Sequence, residues 1–202
     1  QGADKEARDE EGRTPLLMAA QRGHLPLLKY LPMVQYLCEQ GADKEARDDT
    51  GDTPLHLAAD KGDLSMVKYL CGQGADKEVR DGDGKTPLHM AAQKGHLPVV
   101  QCLCEEGTDK EARNNGDSTP LHLAVHNGHL PVVQYLCEQG ADKEARDDDD
   151  RAPLLMAAEN GHLSVVQYLC EQGADKEARG EGDRTPLLMA AENGHLSVVQ
   201  YL

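Results

Sequence analysis

Nine histidines and six cysteines are the side chains in this 202-residue chain that could ligate a metal or move a proton. Their spacing points elsewhere. His56, His89 and His122 stand 33 residues apart, and His96, His129, His162 and His195 form a second set at the same interval, with His24 at the corresponding phase of the first unit. Only His126 lies outside both phases. Cys38, Cys71, Cys104, Cys137 and Cys170 also recur together. Equivalent positions in stacked layers lie about 10 Å apart, too far for a disulfide, whose Cα atoms must approach within about 7 Å. They are expected to be small buried apolar residues in a reducing, cytoplasmic setting. Cys102 and Cys104 make a C-x-C pair with no second pair to complete a zinc site. Gly82-Asp83-Gly84-Lys85-Thr86 imitates the end of a phosphate-binding loop, but Val79 stands where that loop needs glycine. The acidic run Asp147 to Asp150 lacks the alternating ligands and closing glutamate of a calcium loop, so it is expected to be a solvated turn. No nucleophile motif surrounds Ser65, Ser118, Ser164 or Ser197. No catalytic residue, metal or cofactor is expected, and the chain does not read as an enzyme.

The elements that carry these residues must be small. There is no Trp, no Phe and only six Tyr, so a large aromatic-centred globule is disfavoured, whereas Leu, Ala, Val, Met and Cys suit thin layers of short helices. A formal charge of −15 argues against nucleic acid or an anionic membrane as partner, because both need cations on the contacting face. A neutral or basic protein fits better. No stretch approaches the roughly 18 apolar residues that a membrane span requires. The chain begins at Gln1, so its true N-terminus is not visible.

Self-similarity organises the whole chain. Thr-Pro occurs at Thr14, Thr53, Thr86, Thr119 and Thr185, with Ala152-Pro153 at the remaining phase, and the steps are 39 and then 33 residues each. Thr53-Pro54-Leu55-His56-Leu57-Ala58, its copies from Thr86 and Thr119, the later Gly95-His96-Leu97 and the closing Gly140-Ala141-Asp142 resemble the ankyrin repeat, with its T-P-L-H-x-A signature and 33-residue period. The resemblance covers essentially all of residues 1–202. It implies an all-α repeat solenoid, a stack of helix-turn-helix units joined by β-turn or hairpin loops, read as a single domain of about six repeats.

One unit shows how such a fold is written. Thr53 reads as an N-cap with Pro54 at N1, where a missing N–H costs nothing, and His56 at N3 can reach back toward Thr53. Gly62 ends the first helix, a second runs from about Leu64 to Gln73, and Gly74 stops it. The Asp- and Gly-rich segment from Asp76 to Lys85 turns into the next unit. Helices this short do not persist alone in water, so stacking must hold them.

Three irregularities stand out. Leu25-Pro26-Leu27-Leu28-Lys29-Tyr30 is nearly copied by Leu31-Pro32-Met33-Val34-Gln35-Tyr36, a six-residue insertion that would rotate the apolar stripe of a continuous helix about 240° out of phase. Residues 25–30 are therefore expected to bulge or form an extra turn, with the regular helix restarting near Leu31-Pro32. Repeat 5 has Ala152 for Thr and Leu155 for His, which removes a cap worth about 1 kcal/mol and marks it as the weakest layer. Asp117, Asp150 and Asp183 replace the turn glycines Gly12, Gly51 and Gly84, so a left-handed backbone is expected at each. Both ends fall inside second helices and show no polar capping repeat, as expected of an excerpt from a longer array or of copies stacking head to tail into a filament.

The resemblance implies protein binding on the concave face made by the turn tips and first helices. Carried onto this sequence, the tip positions are Asp49, Thr50, Asp52, Asp83, Lys85, Asn115, Asp117, Asp149 and Asp150. The helix positions are Asp60, Lys61, Gln93, Lys94, His126, Asn127, Glu159, Asn160, Glu192 and Asn193. These positions vary between repeats more than the rest of the unit. The recurring Asp-Lys-Glu-Ala-Arg segment is expected to form ladders of alternating charge, each exposed pair being worth little. The leading expectation is a protein-interaction scaffold; the alternative is a self-associating structural unit.

Overall fold

The computed structural model describes residues 4–22 and 30–202. Among these residues there are twelve α-helices, one short 3₁₀ turn and no strand. The chain divides into two compact units, residues 1–91 with 98–109 and residues 92–97 with 110–202. The first contains α1 (Pro15–Gln21), α2 (Leu31–Glu39), α3 (Pro54–Asp60) and α4 (Leu64–Gly72); the second contains α7 (Pro120–His126), α8 (Leu130–Glu138), α9 (Pro153–Glu159), α10 (Leu163–Glu171), α11 (Pro186–Glu192) and α12 (Leu196–Tyr201). Between them in sequence, α5 (Pro87–Lys94) and α6 (Leu97–Glu105) each contribute residues to both units. Within each unit, first helices pack on second helices of the same repeat and on the first helices of the next. Leu16, Leu17, Leu55, Ala58, Ala59 and Leu70 fill the layers of the first unit, and Leu121, Ala124, Val133, Leu136, Leu154 and Leu169 those of the second. The narrow stripe of Ala and Leu lets helices seven to nine residues long make close interfaces, and this burial supplies what isolated helices of that length lack.

Proline begins every first helix, and the residue before it is extended in α1, α3, α7, α9 and α11. In α3 and α7 the cap is reciprocal. The Thr53 N–H donates to His56 Nδ1 at 3.2 Å, and the Thr119 N–H donates to His122 Nδ1 at the same distance. A ring nitrogen that accepts leaves the proton on Nε2, which donates onward to the next tip: His56 to the Lys85 carbonyl at 2.9 Å, His122 to the Ala145 and Arg151 carbonyls at 3.0 and 3.2 Å. The phase histidines thus cap a helix and tie neighbouring repeats together. In α1 and α11, where Leu17 and Leu188 replace histidine, the Thr hydroxyl accepts a longer 3.4 Å bond. In α9, Ala152 makes no side-chain cap.

The helix from Leu31 begins where the insertion argument places its restart, with Tyr30 outside the helix and Pro32 in the first turn. The bulge expected at residues 25–30 falls, except for Tyr30, outside the described residues. Val34 is the buried residue of α2, whereas Met33 and Tyr36 are exposed. At the turns, Asp117, Asp150 and Asp183 have φ of 53°, 56° and 59°, as the glycine phase required. Aspartate tolerates the left-handed region better than most non-glycine residues.

The Asp-Lys-Glu-Ala-Arg segments do form ladders, but not of alternating charge. Many of their Lys, Glu and Arg side chains bond the backbone of the following repeat. Glu6, Glu45 and Glu78 accept the N–H of Asp43, Asp76 and Asp109 at 2.8 to 3.0 Å in the first unit, and Glu111 and Glu144 do the same for Asp142 and Asp175 in the second. Lys5, Lys44 and Lys77 donate to the carbonyls of Gln40, Gln73 and Glu106. Arg8, Arg47, Arg113 and Arg146 donate to the carbonyls of Arg47, Arg80, Arg146 and Arg179. Much of the pattern is a backbone strap, because side chains at one phase stand beside the next repeat's backbone, although Lys77 also pairs with Glu106, and Arg146 and Arg179 pair with Asp150 and Asp183.

Candidate functional site

Five of the six tips are tight turns built on one acceptor. The carboxylate or amide Oδ1 of Asp9, Asp48, Asp81, Asn114 and Asp147 accepts the N–H groups two and four residues ahead, at 2.7 to 3.1 Å. The last residue of the tip, just before the Thr-Pro corner, is then held over the end of the first helix. In repeat 1 this is Arg13, whose Nε and Nη2 both reach Asp9 Oδ2, at 2.9 and 2.7 Å, while Nη1 reaches Gln21 at 2.9 Å. In repeat 5 it is Arg151, gripping Asp147 in the same way at 3.0 and 2.8 Å and standing 2.8 Å from Asp149 and 3.6 Å from Glu159. The Arg13 guanidinium beside Asp9 holds that carboxyl below its usual range. Arg13, Arg151 and Arg184 share a phase with the selected Asp52 and Lys85 but were not singled out, although the period itself could have found them.

None of the nineteen positions selected from sequence is fully buried. Asp49, Thr50, Asp83, Lys94, Asn115, Asp117, His126, Asn127, Asp149, Asp150, Glu192 and Asn193 are exposed; Asp52, Asp60, Lys61, Lys85, Gln93, Glu159 and Asn160 are half-buried. Several already have local work. Asn127, Asn160 and Asn193 each donate to the carbonyl four residues back, closing α7, α9 and α11. Lys61 pairs with Asp60 at 2.9 Å, and Lys85 with Asp83 at 3.2 Å. The Thr50 hydroxyl lies 2.6 Å from Asp48 and 3.0 Å from Asp52.

Repeat 2 departs electrostatically. Asp52 occupies the phase that holds arginine in repeats 1 and 5, so carboxylates face carboxylates there. Burial, aided by the charges of Asp48, Asp81 and Asp60, pushes Asp52 up to about 6 against the opposing Thr50 hydrogen bond. Its Oδ1 is buried without a hydrogen-bond partner. This is the one selected position whose environment disfavours its charge so strongly among the described residues.

A cleft of about 460 Å³ lies in the second unit, floored by Leu155 and Met189 and rimmed by Asp149, Arg151, Glu159, Glu181, Gly182 and Arg184. Only Asp149 and Glu159 of these were selected from sequence. Nearby, carboxylate oxygens of Asp147, Asp148 and Asp149 come within 4.8 Å of one another, but Asp147 and Asp149 are already paired with Arg151. The cysteines need a correction. Cys102 is buried, whereas Cys38, Cys71, Cys104, Cys137 and Cys170 are half-buried, at the margin of the second helices. Desolvation still pushes Cys71 and Cys137 up to about 11, which keeps them as thiols at neutral pH.

No helix among the described residues is long and apolar enough to cross a membrane. A family model described as ankyrin repeats matches in three copies, over residues 1–81, 73–147 and 144–202. No curated protein matches the chain.

Proposed function

The chain belongs to the ankyrin-repeat family, and from that premise we propose that it is a non-catalytic scaffold that binds a protein partner across its turn tips and first-helix ends. Repeats of this family generally mediate protein–protein interaction. One observation carries the finer reading: the positions that differ most between repeats are exposed or half-buried ones at the tips and first-helix ends, whereas the buried helix positions vary little apart from the exchange of His56, His89 and His122 for Leu17 and Leu155 and of threonine for Ala152. Packing constrains the layers, and the tips are left to be shaped by a partner. Asp49, Asp83, Asn115 and Asp149 project carboxylates or amides there, and a formal charge of −15 favours a neutral or basic partner approached at long range. Reversing Asp49, Asp83 and Asp149 to Lys should lower capture of a basic partner at least tenfold in a pull-down, and capture should weaken with added salt. Retained capture at all salt concentrations would refute the assignment.

A second reading rests on a different face. Leu187, Leu188 and Leu196 are 45%, 50% and 66% exposed, whereas their repeat-5 counterparts Leu154 and Leu155 are 1% and 2% exposed. Such a face can receive another repeat of the same design, whether the next one along a longer chain or one from a second copy. Sedimentation over a hundredfold concentration range tests the second-copy case: a strict monomer throughout rules it out.

A further inference from the structure

We propose that the cleft at the sixth tip is a carboxylate subsite, filled by an Asp or Glu side chain of a bound polypeptide segment. The other five tips share one arrangement. In each, a side-chain oxygen at the first tip position accepts N–H groups two and four residues ahead, and in repeats 1 and 5 that same carboxylate also grips the arginine that ends the tip. The sixth tip keeps the arginine and loses the acid. Gly180 stands at the phase of Asp9 and Asp147, so it offers no side-chain acceptor to Gly182 or Arg184. Arg184 is left with Glu192 at 3.8 Å, where Arg13 and Arg151 have carboxylate contacts of 2.7 and 2.8 Å.

Leu155 packs closely against Gly180. Its two methyl carbons lie 3.3 Å from where a Cβ at position 180 would sit, and the Asp150 carbonyl is equally close. At the preceding tip, His122 occupies the phase of Leu155 and Asp147 is present and buried. Leucine at this phase does not by itself exclude the acid, since the tip after Leu17 keeps Asp48, but here Leu155 and Gly180 together leave a cleft with an arginine on its rim and an apolar floor of Leu155 and Met189. A guanidinium whose acid partner stands only as near as 3.8 Å can still take a closer carboxylate, which accepts two parallel N–H···O bonds from it. The floor favours an apolar side chain beside that acid. The acidic surroundings do not forbid this. Arg151 offsets part of the charge of Asp149 and Glu159, and Arg179 lies 3.1 Å from Asp183. Asp147 itself is held beside Asp148 and Asp149 by Arg151.

The polypeptide source rests on the scaffold reading; the carboxylate chemistry does not. The test uses the whole chain labelled with ¹⁵N, titrated with acetyl-Leu-Asp-Leu-amide, its Asn counterpart, and sodium acetate against matched sodium chloride. The Gly182 and Arg184 amides should shift saturably with the Asp peptide and at least fivefold more weakly with the Asn peptide. Arg184→Gln should lower affinity at least fivefold. Gly180→Asp combined with Leu155→His rebuilds the arrangement at Asp147 and His122 and should abolish binding. Equal shifts with both peptides, or undiminished binding to the double variant, would overturn the subsite. Acetate binding as tightly as the Asp peptide would overturn its assignment to a polypeptide. Because these titrations need no native partner, their failure is separable from failure of the pull-down.

Discussion

Asp52 and the capping histidines respond to pH in opposite senses, for one shared reason: burial penalises whichever form is charged. Burial lowers the pKa of His56 and His122. Their contribution is complete above the unfolded value near 6.5 and is lost as pH falls below it, because the unfolded chain takes up the proton first. Asp52 is raised from 3.8 to about 6, so its contribution is present below 3.8 and is lost as pH rises through about 6. Asp52→Asn should therefore stabilise the chain at pH 7.5 by about 1 kcal/mol, a shift of that size being discounted for solvent screening at a half-exposed site. At pH 4 the gain should have largely gone. Urea unfolding of both proteins across pH 4 to 8 checks this, and in the variant the fall in stability from pH 7 to 5 should be steeper, since only the histidine response remains. Equal stabilities at pH 7.5 would mean that the orphaned oxygen costs nothing.

At the scale of the element, α9 shows two opposing effects. Losing the threonine cap at Ala152 costs about 1 kcal/mol, while Leu155, 2% exposed in place of a histidine, contributes on the order of 2 kcal/mol of apolar burial. Ala152→Thr should keep the second and restore the first. Amides of α9 should then exchange about fivefold more slowly than in the wild type, and unchanged exchange would show that the cap has no room to form. Faster opening of α9 than of α7 in the wild type would support repeat 5 as the weak layer. The backbone straps make a second prediction at this scale. Glu45 is an acceptor for the Asp76 N–H rather than half of an ion pair, so Glu45→Gln should change stability by less than about 0.5 kcal/mol, whereas Glu45→Ala should cost about 1 kcal/mol. Equal losses in a thermal melt would restore the charge-pair reading.

Over the whole molecule, a net charge of −15 works against compactness. Raising sodium chloride from 20 to 500 mM shortens the screening length from roughly 20 Å to about 4 Å, so the self-repulsion should fade and the melting temperature should rise by several degrees. A melting temperature that falls instead would mean that exposed ion pairs outweigh the excess of acid. The same screening should weaken capture of a basic partner, so salt separates stability from binding by moving them in opposite directions.

The sequence by itself determined the helix pairs, their Thr-Pro corners, the His56 and His122 caps and the left-handed backbone at Asp117, Asp150 and Asp183. All of these depend on contacts a few residues apart, repeated at a fixed period, and a period is visible in a string of letters. The phase also held the key to Arg13, Arg151 and Arg184, although it could not show what those side chains grip. Only the tertiary structure decided that the Lys, Glu and Arg of the recurring segment reach backbone rather than one another, that most cysteines sit at the margin of their helices, and that Leu155 crowds the space above it at Gly180. Those facts depend on distances between residues about 30 positions apart, fixed by how closely one repeat settles on the next.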